Sequence, residues 1–200
     1  TDSPLPHQSG RECRVVPMMN KSQTDIAYGF ATIARHDASY HAYWLMNNIL
    51  GQYSLGGRLG DSIREEQGMA YYVFSSLEAN LMPGPLVNRA GVSPTNVARA
   101  VSSIDTELRK LVETGPTEQE LIESKQYLIG SMPRTLETNM GIATYLQTAE
   151  FFGLGLDYDL RMPDLLRSVT PEQVHDAARR AIDPDRATVV VAGPFEGTLA

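Results

Sequence analysis

Gly56-Gly57-Arg58-Leu59-Gly60-Asp61-Ser62-Ile63-Arg64-Glu65-Glu66-Gln67-Gly68-Met69-Ala70-Tyr71-Tyr72-Val73 is the stretch on which the reading of the fold turns. Gly56 and Gly57 mark flexible backbone ahead of a short polar helix. Gly68 stops that helix, because glycine tolerates the left-handed conformation of a helix C-terminus. Tyr71, Tyr72, Val73 and Phe74 are aromatic or β-branched and predict a strand. Arg64 is thereby placed in the last helical turn and Tyr71 at the strand start. The reversal between them lets a guanidinium and a phenol face one cleft. Alternation along a strand sends Tyr71 and Tyr72 to opposite faces, so at most one of them reaches that cleft.

Outward from this stretch, the pattern predicts an α+β fold. Strands are expected at Arg14 to Met19, Asp25 to Ala34, Met69 to Ser76, Leu86 to Val92 and Ala187 to Ala192. Asp37 is a candidate N-cap for a helix from Ala38 to Leu50, with Tyr43, Leu45, Met46, Ile49 and Leu50 apolar. Ser93-Pro94 opens a second helix, since proline suits a first helical turn. Val97, Val101, Ile104, Leu108 and Leu111 keep the three- to four-residue spacing of a buried stripe. Gly115-Pro116 ends it. Thr117 with Glu120 has the form of a capping box for a helix to about Ser131. Helices follow at Leu136 to Phe152 and Tyr158 to Ser168. Thr170, Pro171 and Gln173 start another, reaching about Ile182. Strands, a helix, strands, then several helices and a last strand make helices stacked on a mostly antiparallel sheet. Residues 1–10 read as a linker or tail and 11–200 as one domain.

Bulk properties narrow the function. Two hundred residues suffice for a sizeable core, and 42% hydrophobic with 20% charged residues are ordinary for a globular protein. A net charge of -7 without a Lys/Arg cluster argues against a nucleic-acid partner. No apolar run is long enough for a membrane-spanning helix. The chain opens Thr1-Asp2-Ser3-Pro4, without Met or a basic-then-apolar leader, and reads as a fragment or processed form. The one cysteine, Cys13, excludes an internal disulfide framework. That fits a reducing cytoplasm and equally a bacterial periplasm. Cys13 has no base partner in sequence and reads as an ordinary residue near the first strand.

The chemistry-bearing residues are few. A zinc peptidase helix presents two imidazoles at i and i+4 in a His-Glu-x-x-His pattern, which occurs nowhere in the chain. His36 and His41 stand five apart and would diverge by about 140° on a helix. His175-Asp176 diverge for the same reason, and His7 lies in the tail. Glu65-Glu66 and Glu118, Glu120 and Glu123 read as solvated helix faces. No phosphate-binding glycine pattern follows Gly56-Gly57. Trp44 and the nine tyrosines form no stacking platform with basic residues. Taken alone, Arg64 is a cation favoured by a helix C-terminus and Tyr71 an ordinary strand-edge residue.

A family resemblance changes that weighting. His36-Asp37-Ala38-Ser39-Tyr40, then Asn47-Asn48-Ile49-Leu50-Gly51, Gly57-Arg58-Leu59, Ile63-Arg64-Glu65 and Gly68-Met69-Ala70-Tyr71 come in the order of the C-terminal domain of M16 (insulinase-like, mitochondrial-processing-peptidase-like) zinc proteases. Gly115 to Leu121, Ser124-Lys125 with Gly130, Val169 to Val174 and Val189 to Pro194 continue the series. The chain resembles that family over most of its length. The resemblance implies a non-zinc-binding domain facing a zinc-bearing N-terminal domain, or a zinc-bearing partner subunit, across a clamshell around an unfolded peptide. Zinc would then lie in the partner domain and none in this chain. Arg64 and Tyr71 occupy the positions of a substrate-contacting pair seven residues apart. The guanidinium is implied to grip a substrate carbonyl and the phenol to donate to the oxyanion. Gln67, Met69 and Gly60-Asp61 depart from the residues common there, and no Ser precedes Arg58.

Three functional classes follow. The first is the substrate-contacting domain of a zinc endopeptidase. The second is a non-catalytic structural or assembly subunit of the same family, processing-peptidase-like or respiratory core-protein-like. The third, an autonomous hydrolase, lacks any nucleophile–base constellation. Half a clamshell is expected to expose an apolar surface, through which a homodimer could also form.

Overall fold

The computed structural model describes residues 9–52 and 57–199. The expectation for Gly56, and most of that for the tail, lies outside the described residues. Five strands form one sheet in the order β1-β5-β2-β4-β3. They are β1 (Glu12–Pro17), β2 (Thr24–Ala31), β3 (Ala70–Leu77), β4 (Pro85–Val92) and β5 (Thr188–Gly193). Only the β1–β5 pairing is parallel, from Glu12 opposite Thr188 to Pro17 opposite Gly193. The other pairs are antiparallel, as expected for a mostly antiparallel sheet.

Six α-helices accompany the sheet among the described residues. They are α1 (Tyr40–Gly51), α2 (Val97–Thr114), α3 (Glu118–Thr135), α4 (Asn139–Phe151), α5 (Tyr158–Arg167) and α6 (Pro171–Ala181). A π-helix at Gly60–Glu66 completes the helical layer. Alternation on β2 buries Ile26, Tyr28 and Phe30 on one face. They join Val73, Leu86, Ala90, Val92, Val189 and Val191 from the other strands in one apolar cluster. Leu45, Met46 and Leu50 of α1, Ile104, Leu108 and Leu111 of α2, and Val174 and Ala178 of α6 close the cluster from the helical side. Burying such side chains contributes about 1.5–3 kcal/mol each, and this drives the layering.

Polar crossbars fix how the layers register. Ser75 Oγ donates to Asn47 Oδ1 at 2.7 Å, tying β3 to α1 in the interior. Ser124 Oγ donates to Asn48 Oδ1 at 2.7 Å, tying α3 to α1. Tyr28 Oη donates to Asp105 Oδ1, which with an ion pair from Arg11 at 2.8 Å links the sheet to α2. Burial, and then the Asp105 charge, push the Tyr28 phenol well above its ordinary range. Both capping boxes form. Glu120 N–H donates to Thr117 Oγ1 while Thr117 N–H donates to Glu120, and Thr170 and Gln173 do the same for α6.

Two local expectations shift. Asp37 does not cap α1, whose N-cap is Ser39. The Asp37 carboxylate instead accepts from Ser39 N–H at 2.8 Å and from Ser39 Oγ, closing a turn ahead of the helix. α3 runs through Pro133 to Thr135, beyond the expected end at Ser131.

A buried cation holds the corner between the β2–α1 connection and the start of α5. The Arg35 guanidinium lies 3.6 Å from the Tyr40 ring centroid, with the Tyr158 and Phe152 rings at 5.4 and 5.8 Å. Arg35 Nη2 donates to Tyr158 Oη at 3.1 Å, and the same hydroxyl meets His41 Nε2 at 3.1 Å. Burial, helped by the Arg35 charge, pushes His41 down to about 4 from its ordinary 6.5. Between those two values the unfolded chain binds a proton that the folded chain does not, so stability falls as pH drops from 6.5 towards 4. His41→Gln removes that titration. The variant should lose less stability than wild type in urea unfolding at pH 4.5 relative to pH 7. Equal losses in both would refute the assignment.

Candidate functional site

The reversal that carries Arg64 and Tyr71 is built by backbone geometry. Gly57 has φ +85°, and a Cβ there would lie 2.6 Å from the Cα of Gly51, so only glycine lets the chain pass this close to the end of α1. Arg58 then anchors the entry. Its Nε and Nη2 donate to the two oxygens of Glu120 at 2.7 and 2.9 Å, and Nη2 also to Gly115 O at 2.8 Å. Burial works against the Glu120 charge, but Arg58 and the Thr117 N–H outweigh it and hold that carboxyl below its ordinary range. Leu59 and Ile63 are fully buried and pin the inner side of the π-helix.

The helix is of the wide i→i+5 type, a form that recurs at functional sites. It leaves Arg64 in the last turn, half-buried, with its Nε 3.8 Å from Glu65. Gly68, at φ +60°, reverses the chain. Gly68 N–H donates to Arg64 O at 3.0 Å and Met69 N–H to Ile63 O at 3.1 Å, stapling the strand start to the helix end. Gln67 braces the outside, donating to Ser62 Oγ at 3.3 Å and accepting from Ser103 Oγ of α2 at 3.2 Å.

Tyr71 sits at an irregularity that sequence alternation did not foresee. β3 pairs with β4 at Ala70 opposite Val92 and at Tyr72 opposite Gly91, so Tyr71 is the extra residue of a β-bulge. A bulge re-aims its side chain, and simple two-residue alternation does not govern it. Tyr71 is 65% exposed. Tyr72 is committed elsewhere, its hydroxyl donating to Asp25 at 2.8 Å on the sheet face away from the helices. Burial and the Asp25 contact push the Tyr72 phenol up to about 12. Of the two tyrosines, Tyr71 is therefore the one whose hydroxyl makes no hydrogen bond to a described residue. The structure sets Arg64 and Tyr71 on the two arms of one stapled turn, helix end and strand start.

Two of the histidines are occupied in the body of the protein, and His36 is exposed. His41 meets Tyr158, and His175 Nε2 lies 2.7 Å from Val112 O. His7 is outside the described residues. Zinc requires three or four converging N, O or S donors, and among the described residues no group of His, Cys, Asp and Glu is placed to hold a metal. The described residues do not fit a zinc site. No helix among the described residues is long and apolar enough to cross a membrane.

The fold and this turn belong to a recognisable class. A family model described as the Peptidase M16 inactive domain matches residues 2–128, and the chain belongs to that family. It is 26% identical to a Bacillus subtilis protein named uncharacterized zinc protease YmxG, over 84% of this chain and 41% of that protein. It is 27% identical to a Helicobacter pylori protein named non-peptidase homolog YmxG, over 66% of this chain and 30% of that protein. A crystal structure of a peptidase M16 inactive domain from Pseudomonas fluorescens superposes with a TM-score of 0.83 at 27% identity, covering 94% of this chain and 45% of the other. The chain spans about two fifths of the length of the first curated relatives it matches.

Proposed function

We propose that the chain is the C-terminal, substrate-contacting half of an M16-type zinc metalloendopeptidase, in which Arg64 and Tyr71 serve a peptide-cleaving site completed by a facing zinc-bearing domain. The observation that carries this reading is the bulge that leaves Tyr71 exposed beside the helix end bearing Arg64. The metal and its chemistry belong to the facing domain. This chain's part is to bind and orient. The planar Arg64 guanidinium offers several fixed N–H donors to a backbone carbonyl of an extended peptide. The Tyr71 O–H donates to the scissile carbonyl oxygen as negative charge gathers on it. Donors fixed in advance at that position favour the transition state over the ground state.

The test uses the complete parent protein and an unfolded peptide. Arg64→Ala should lower kcat/KM by roughly 10²-fold or more, as removal of one transition-state donor does elsewhere, and Arg64→Lys should restore only part of it because a point charge does not reproduce the fork. Undiminished cleavage by Arg64→Ala sinks the reading.

A second reading is favoured by one observation. A relative of comparable identity is named a non-peptidase homolog. On that reading the chain is a structural or assembly domain, the parent cleaves no peptide, and Arg64→Ala leaves its complex intact.

A further inference from the structure

Helix α4 is the α-helix least covered by the body of the domain. Of its 13 residues only Ala149 is buried. At about 100° per residue, Met140 and Phe151 fall on the side opposite Ala149, while Ile142 and Leu146 lie on its own side, about 20° and 60° from it. Met140 is 76% exposed and Phe151 54%, and Ile142 and Leu146 are exposed too. The turn and helix that follow add Leu156 and Leu160, the latter 75% exposed. Glu150 is the single charged residue of α4. Exposed apolar side chains thus stand on both sides of the helix, and a helix this short is marginal in water without packing. Tyr145 tethers α4 to the start of α5, its hydroxyl donating to Leu156 O at 3.2 Å and accepting from Asp159 N–H at 2.9 Å. The tether positions the helix without covering it.

More than half of each first curated relative lies outside the part this chain matches, since the match spans 41% and 38% of them. We propose that α4, with Leu156 and Leu160, docks into an apolar surface of the remaining part of the same parent polypeptide. The near-absence of charge on α4 means an ionic partner would gain nothing there. This proposal rests on the reading that a facing domain exists, and it names the surface that receives it.

Amide exchange of the complete parent protein tests it. Peptides covering residues 139–151 should exchange at least about 100-fold more slowly than an uncovered helix. The double variant Met140→Glu/Phe151→Glu should abolish that protection while β2 and β4 stay protected, since both residues are exposed among the described residues. Fast exchange of α4 in the wild-type parent, or no effect of the double variant, overturns the proposal. Protection that appears only as sedimentation shows a dimer assigns the face to a second copy and overturns it as well. Turnover insensitive to Arg64→Ala with α4 protected would remove the catalytic reading and leave the docking surface standing.

Discussion

On the proposed function, Tyr71→Phe in the parent protein should lower kcat by about 10²-fold to 10³-fold with little change in KM, the size of loss that follows removal of one oxyanion donor. The substitution deletes a single hydroxyl from a residue that is 65% exposed and makes no hydrogen bond to a described residue. Its effect on folding should therefore stay within about 0.5 kcal/mol. An interaction made only in the transition state depresses kcat and kcat/KM together, whereas loss of uniform binding raises KM alone. Steady-state kinetics with an unfolded peptide, beside a thermal midpoint on the same preparation, separate the two. Tyr72→Phe is the internal control. Its hydroxyl serves Asp25, so turnover should survive while stability drops slightly. Equal turnover in Tyr71→Phe and wild type would remove Tyr71 from the chemistry.

The second large effect concerns stability. Arg35→Ala should destabilise the domain by about 3 kcal/mol, the sum of cation–ring contacts at roughly 0.5–2 kcal/mol and a charge-assisted hydrogen bond at roughly 1.5 kcal/mol. The guanidinium touches three rings and the Tyr158 hydroxyl, so its removal leaves a cavity and frees the α4–α5 corner from the β2–α1 connection. Burying a cation also carries a desolvation cost. Arg35→Met, which fills the space without the charge, should lose less than half as much. Urea unfolding of the three proteins at one pH decides it. Identical midpoints for Arg35→Ala and wild type would show that the cluster contributes nothing net.

Local signals were readable wherever a few residues suffice to cause the structure. The capping residues Thr117 and Glu120, and Thr170 and Gln173, make their own hydrogen bonds and so announce their helices. The stripe from Val97 to Leu111 announces α2, and Gly68 announces the reversal. What escaped depends on partners distant in the chain. The π-helix differs from an α-helix only by the register of its backbone bonds, which side-chain spacing does not announce. The bulge at Tyr71 exists only in the pairing with β4. Asn47 and Asn48 read as part of a family pattern, yet their work is to bracket Ser75 and Ser124. Arg35 gave no signal, because the rings around it come from residues 40, 152 and 158. The site pair itself came from family resemblance. Physical reading alone placed Arg64 and Tyr71 on either side of a turn and no further.

The parallel pairing of β1 with β5 has a mechanical corollary. Both strands run the same way and in step, from Glu12 beside Thr188 to Pro17 beside Gly193. Chain arriving at β1 and chain leaving β5 therefore depart from opposite ends of the sheet, roughly 20 Å apart for six-residue strands. Tension applied between those two points pulls along the strands, so the β1–β5 hydrogen bonds carry the load side by side in shear rather than opening one after another. The domain thus meets a stretching force with its strongest geometry.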